Sequence, residues 1–229
     1  MALALAGGGP LGAIHEIGAL CALEDSLRGL DLTRLDHYVG VSAGGFLAAA
    51  LANGLTARQL CQGFIESSGG ADEVFDPSWL MTPAWGEYLR RAALLPSLTA
   101  AAMWRTFIEH KSPLSAIERL GPALPTGLFS SDDVHRRLAS LFSRPGRTND
   151  FRALRSRLTL VATDLDSGTA VAFGSKGYDH VPIARAIQAS AALPGLYPPV
   201  EIEGHWYVDG ELKKTLHGSV ALKEGARLL

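Results

Sequence analysis

The sequence predicts an α/β domain, with a mostly parallel central sheet, helices on both of its faces and an inserted helical cap. Two strand–turn–helix junctions and the chain length carry that expectation. Near the N-terminus the apolar run 3–6 breaks into Gly7-Gly8-Gly9-Pro10-Leu11-Gly12 and resumes as a helical pattern. A second apolar run, 38–41, breaks into Gly40-Val41-Ser42-Ala43-Gly44 and resumes at once as the helix former 46–52. Short apolar runs joined to helices by glycine turns are the signature of parallel strands buried on both faces. At 229 residues, 47% hydrophobic and 19% charged, the chain suits one domain, 1–229, with an inserted element.

In the first junction, a helix is expected over 13–27, with Leu20, Leu23, Glu24 and Leu27 at helical spacing. Pro10 fits near its start, where a missing N–H costs nothing. Three adjacent glycines between strand and helix expose backbone N–H groups to one concavity, which suits an anion or an oxyanion. Gly7-x-Gly9-x-x-Gly12 also matches a dinucleotide fingerprint. That reading needs an acid ending the second strand, whereas Asp31 and Asp36 precede it and the strand delivers Ser42.

The second junction has the context of a nucleophile elbow. Gly40, Gly44 and Gly45 let the backbone pass close to itself, so that Ser42 sits on a sharp turn with its hydroxyl exposed. Asn53-Gly54 closes the following helix, and Thr56 caps another over 57–67. From 68 to 127, six prolines and three tryptophans (Trp79, Trp85, Trp104) accompany Met81, Leu94, Leu95, Leu98, Met103 and Phe107. This is the expected cap. Its apolar residues either pack it onto the core or line an acyl-chain groove and touch a lipid surface.

Further on, Ser130 or Ser131 starts a helix over 134–142. Strands at 158–162 and 170–173 form a hairpin across Asp166-Ser167-Gly168, with Asp164 and Asp166 as turn residues. A helix over 183–192 stops at Leu193-Pro194-Gly195. An extended segment, 197–202, and a turn, 203–205, lead to the strand 206–208, which empties into Asp209-Gly210. A carboxylate at a strand end, beside a glycine, is placed to face a site built from other strand ends. The closing run 226–229 is apolar and reads as the beginning of a further strand, as in a truncated chain.

The composition excludes several functions. Net charge is −2 and no Lys/Arg run occurs, so the electrostatic footprint of a nucleic-acid binder is absent. Cys21 and Cys61 sit singly in helical patterns and read as buried apolar residues rather than a disulfide or a metal pair. The N-terminus has no basic region of a signal peptide, and no run reaches the ~18–20 apolar residues of a membrane span. The expected location is cytoplasmic, with peripheral contact at a membrane surface.

With these motifs in order, the sequence resembles the patatin-like phospholipases. The family's glycine-rich loop, Gly-x-Ser-x-Gly elbow and distant Asp-Gly stand here as 7–12, 40–44 and Asp209-Gly210-Glu211; the run 189–195 with Pro198-Pro199 also matches. The resemblance implies a three-layer α/β/α fold and a Ser-Asp dyad, with Ser42 as nucleophile and Asp209 as general base. It further implies an oxyanion hole from Gly7, Gly8, Gly9, Gly12 and Ala43, and a lipid acyl ester as substrate. No cofactor and no metal are expected. Two positions depart from the family: Leu11, where many members carry a cation, and Glu211, where a small residue is usual. Two other readings stay open at this point. One is a catalytically inactive lipid-binding scaffold; the other is a Ser-His-Asp esterase using Asp164, Asp166 or Asp179 with His205 or His217.

Overall fold

Six strands form one mixed sheet in the computed structural model, which describes residues 1–68, 74–97, 99 and 124–228. Strands β1 (Ala2–Leu5), β2 (His37–Val41) and β3 (Arg157–Asp164) run parallel. Strands β4 (Ala170–Phe173) and β6 (His205–Asp209) run antiparallel to β3. The short β5 (Val200–Ile202) pairs antiparallel with β6 and so points the same way as the first three.

The register along β3 decides where everything else lies. Residues 160–163 pair with β4 on one flank. On the opposite flank, 157–161 pair with β2 and 162–164 pair with β6. Strands β2 and β6 therefore share one flank of β3 and meet end to end. Val41 lies opposite Val161 and Asp209 opposite Ala162, two consecutive residues of the same strand.

Seven helices are described: α1 (Gly9–Ser26), α2 (Ser42–Ala52), α3 (Ala57–Phe64), α4 (Trp85–Ala92), α5 (Asp132–Phe142), α6 (Ile183–Ser190) and α7 (Gly218–Lys223). Side chains alternate across the sheet, as a period of two requires. Leu5, Tyr38, Leu158, Leu160 and Ala162 join the large core under α1, α2, α3, α5 and α6. Ala2, Val39 and Val161 face the other way, against Ala221 of α7. Helix α2 is apolar all round, with Leu47 to Leu51 fully buried, and its alanines allow it to lie close on the strands. Helix α3 opens on a capping box: Thr56 Oγ1 accepts from Gln59 N at 3.2 Å, and Gln59 Oε1 accepts from Thr56 N at 3.0 Å.

Several boundaries differ from expectation. Helix α1 starts at Gly9, not at 13, because Gly8 at φ 144° turns the chain and Pro10 presets the first helical turn. Its buried stripe is Ala13, Ile17 and Leu20, whereas Leu23 and Leu27 are exposed. Helix α2 begins at Ser42 itself, helix α3 ends at Phe64, and helix α6 ends at Ser190. Ser131 does not cap α5 with its side chain. Its hydroxyl accepts from Gln188 Nε2 at 2.9 Å, while Ser130 Oγ accepts from Asp132 N at 3.2 Å. The run 226–228 lies beside β1, where Leu228 O accepts from Ala2 N at 2.9 Å.

Of the segment 68–127, residues 69–73, 98 and 100–123, including Met103, Trp104 and Phe107, lie outside the described residues. The described part holds a 3-10 turn, Pro77–Met81, and α4. Backbone bridges Pro83–Phe129 and Gly127–Gly195 fasten it to the core. A chain of aromatic rings does the same: Phe46 of α2 to Phe64 of α3 at 5.1 Å, Phe64 to Phe75 at 4.5 Å, and Phe75 to Trp79 at 5.9 Å between centroids.

Two neighbouring glycines in α2 provide a test of this packing. A Cβ at Gly44 would lie 2.3 Å from Ala6 O and 2.6 Å from Leu5 C, whereas one at Gly45 meets nothing closer than 3.5 Å. Gly44→Ala is expected to destabilise by about 2–3 kcal/mol through backbone displacement, and Gly45→Ala by under about 1 kcal/mol. Urea unfolding of the two variants makes the comparison.

Candidate active site

The head-on meeting of β2 and β6 places Ser42 and Asp209 side by side. Ser42 Oγ donates to Asp209 Oδ2 at 2.8 Å. The serine takes φ 52°, a left-handed conformation that a non-glycine residue adopts only when its surroundings impose it. Three contacts impose it. Ser42 N donates to Ser190 Oγ at 2.9 Å, and Ser190 Oγ donates onward to Val161 O at 2.6 Å. Gly44 N donates to Ala6 O at 3.0 Å, tying the elbow to the end of β1. At Gly40 a Cβ would fall 2.5 Å from Gly44 O, so the turn closes only without one.

Asp209 is held as tightly. Its N–H donates to Ala192 O at 3.0 Å, and its Oδ1 accepts from Glu211 N at 2.9 Å, leaving Oδ2 for Ser42. Gly210 allows this turn, since a Cβ there would lie 2.4 Å from Val161 O. Asp209 is only 2% exposed. Burial pushes its pKa up to about 6, and the nearby Glu211 charge pushes the same way; the hydrogen bonds from Glu211 N and Ser42 oppose both.

The glycine loop divides into two parts. Gly7 N donates to Thr215 O and Gly12 N to Gly8 O, both at 3.0 Å, so these two amides are engaged within the fold. Gly9 and Ala43 line one cavity with Ser42, and neither amide has an acceptor among the described residues; Gly8 N has none either, but Gly8 does not line the cavity. Gly9 opens α1 and Ala43 lies in the first turn of α2, so two helix N-termini converge beside the Ser42 hydroxyl.

That cavity measures about 420 Å³, and its walls are mainly apolar, with Phe46, Leu60, Phe64, Trp79, Leu138 and Tyr197 among them. Leu11 points away from it and is 80% exposed. Arg137, on the cavity face of α5, lays its guanidinium 3.9 Å over the Trp79 ring. No histidine among the described residues lines the cavity. His205 is exposed and faces Asp164 Oδ2 at 3.3 Å, and His217 is buried against Gly210 O at 3.4 Å. Asp164 Oδ1 accepts from Ser167 N at 2.8 Å, the turn contact expected of it.

Sequence reasoning gave no role to two residues that hold this geometry. Ser190 is the lone hydroxyl at the end of the apolar α6, and nothing in its spacing points to Ser42. Glu16, on α1, accepts from Ala6 N at 2.6 Å and so pins the end of β1; burial pushes its carboxyl up to about 7.

A hydroxyl on a strained strand-to-helix turn, bonded to a buried carboxylate at a second strand end, defines an elbow-type site of an α/β protein. Residues 3–216 match the family described as patatin-like phospholipase, and the chain belongs to it. It is similar to the uncharacterized protein YqhO of Bacillus subtilis (strain 168), at 24% identity over 86% of this chain and 57% of that protein. It is also similar to the crystal structure of VipD from Legionella pneumophila, at 21% identity over 91% of this chain and 45% of that one, with a TM-score of 0.47. The chain thus spans about half the length of these relatives. Among the described residues, no helix is long and apolar enough to cross a membrane.

Two variants probe the site through stability alone. Ser190→Ala strips the buried Ser42 N–H and Val161 O of their partner and is expected to cost about 1–3 kcal/mol, read from the unfolding midpoint. For Asp209→Asn the sign is opposite. A folded-state pKa of about 6 lies above the ordinary 3.8, so the carboxylate favours folding only while protonated. That support is complete below about pH 4 and is lost as pH rises through 6. The neutral variant should therefore match the native protein at low pH and exceed it by on the order of 1–3 kcal/mol above pH 7.

Proposed function

We propose that the protein is a serine-dependent lipid acyl hydrolase, of the phospholipase A, lysophospholipase or acylglycerol esterase type, working through a Ser42–Asp209 dyad. The single observation that carries this reading is the 2.8 Å hydrogen bond from Ser42 Oγ to a buried carboxylate, at the end of a mainly apolar cavity. Family membership supports the lipid class of the substrate.

In the proposed sequence, Asp209 Oδ2 takes the Ser42 proton as Oγ attacks the ester carbonyl carbon. The oxyanion that forms is held by the amides of Gly9 and Ala43 at the two helix N-termini, each donor contributing on the order of 3–4 kcal/mol. The tetrahedral centre collapses, the C–O bond to the alcohol breaks, and the leaving alkoxide takes the proton back from Asp209. Water then attacks the acyl-serine, giving its proton to Asp209, and the fatty acid departs as Ser42 recovers its hydrogen. A carboxylate with a pKa near 6 is a stronger base than an ordinary aspartate and is still ionised at neutral pH. The apolar walls take the acyl chain, and Val74, Phe75, Trp79, Leu80 and Met81 of the proposed cap are among them. Peripheral contact with a membrane belongs to the same proposal, with the exposed Met81, Trp85 and Leu89 as its contact residues.

Labelling with an alkyl fluorophosphonate is expected to modify the native protein and not Ser42→Ala. A native protein left unlabelled, together with unchanged ester hydrolysis in Ser42→Ala, would overturn the reading. The same base predicts the pH profile: kcat/KM should rise with pH, half-maximal near 6, and fall about tenfold per unit below that point.

A further inference from the structure

One buried acceptor in the cavity has no donor among the described residues. Within them, Glu211 Oε1 is closed off from solvent and accepts no hydrogen bond, and the residue lines the same cavity as Ser42 and Asp209. Its backbone fixes where the side chain begins, because Glu211 N is committed to Asp209 Oδ1 at 2.9 Å. The side chain then lies against the glycine loop. A Cβ at Gly7 would fall 1.4 Å from Glu211 Oε1 and 2.1 Å from its Cδ, so the carboxylate fills the space that a side chain at position 7 would take. The Gly7 amide is spent on Thr215 O and does not answer the carboxylate.

A buried carboxylate oxygen without a donor is unfavourable, and a ligand hydroxyl that draws the Glu211 carboxylate off Gly7 into the cavity supplies the donor. The charge also discriminates. Glu211 adds a second carboxylate beside Asp209, and Arg137, the lone cation among the described lining residues, is already stacked on Trp79 with Asp76 and Asp133 near it. Among the described residues, an anion on the alcohol side of the ester would face two carboxylates with no free cation to balance it.

We propose that Glu211 is a specificity-determining residue, which accepts a hydrogen bond from a hydroxyl on the alcohol part of the substrate and selects neutral, hydroxyl-bearing acyl esters over esters whose alcohol carries a phosphate. The inference rests on the hydrolase reading and names its substrate class. A site with a buried acceptor rejects the analogue that lacks the matching donor, since the acceptor is then left unpaired.

The test compares three esters of one acyl chain: a glycerol monoester, a methyl ester and a glycerol-phosphate monoester. In Glu211→Ala the ratio of kcat/KM for the glycerol ester to that for the methyl ester should fall about tenfold, and the ratio for the phosphate ester to the methyl ester should rise about tenfold. Glu211→Gln, which keeps an acceptor but no charge, should retain part of the first ratio and reproduce the second. Gly7→Ala, whose Cβ displaces the carboxylate without deleting it, should lower the first ratio as well. Both ratios staying within about twofold of the native values in Glu211→Ala would overturn the assignment. Should Ser42 turn over none of the three, the hydrolase reading fails by itself. The same ratios, measured by calorimetry as binding of the three matching alkyl ethers, then decide the role of Glu211, and unchanged binding ratios overturn it.

Discussion

The flank of β3 that faces β2 and β6 is the constraint on which the rest of the structure depends. A strand can pair with two others on one flank only if those two end where they meet, and here they end at Val41 and Asp209 against the consecutive residues Val161 and Ala162. Strand β2 must then turn away at once, which it does through Ser42 at φ 52° and directly into α2. Strand β6 must turn away too, through Gly210, where no Cβ would fit beneath Val161 O. The strain at Ser42 and the glycine at 210 have one origin, the crowding of two chain reversals onto a single ladder.

The same crowding sets the electrostatics. Two strand ends packed together exclude water, so the Asp209 carboxyl loses solvation and its pKa rises. The helices that start beside it supply the opposite sign. Gly9 at the start of α1 and Ala43 in the first turn of α2 carry N–H groups without an acceptor among the described residues, as the first turn of a helix leaves them. A buried carboxylate and two helix N-termini therefore line one cavity through backbone geometry.

Much of this could be read from the residues, and what could not has a physical reason. Gly40, Ser42 and Gly44 are legible because a close approach of backbone to backbone admits only glycine, and that requirement is local. Asp209-Gly210 is legible for the same reason, although nothing in the segment reveals that β6 runs against β3. Strand direction depends on the connection, and the connection from 190 to 205 is irregular. The start of α1 lies earlier than expected because three glycines look like a loop; Gly8 at φ 144° and Gly9 at φ 59° turn the chain, and the helix runs on directly from Gly9. Ser190 and Glu16 lay beyond reach. Each acts on a residue elsewhere in the chain, Ser190 on Ser42 and Glu16 on Ala6, and a side-chain direction set by tertiary contact leaves no periodic trace. Glu211 stands out beside Asp209 in the sequence, but its direction against Gly7 does not.

Because the backbone positions of Ser42 and Asp209 are inherited from one ladder, a shift of register changes them only in jumps. Sliding β6 by one residue along β3 would move its side chains by roughly 3.3 Å and turn position 209 to the far side of the sheet. Positions 11, 137 and 211 lie outside this pairing, so a substitution at any of them leaves the register of the ladder as it is.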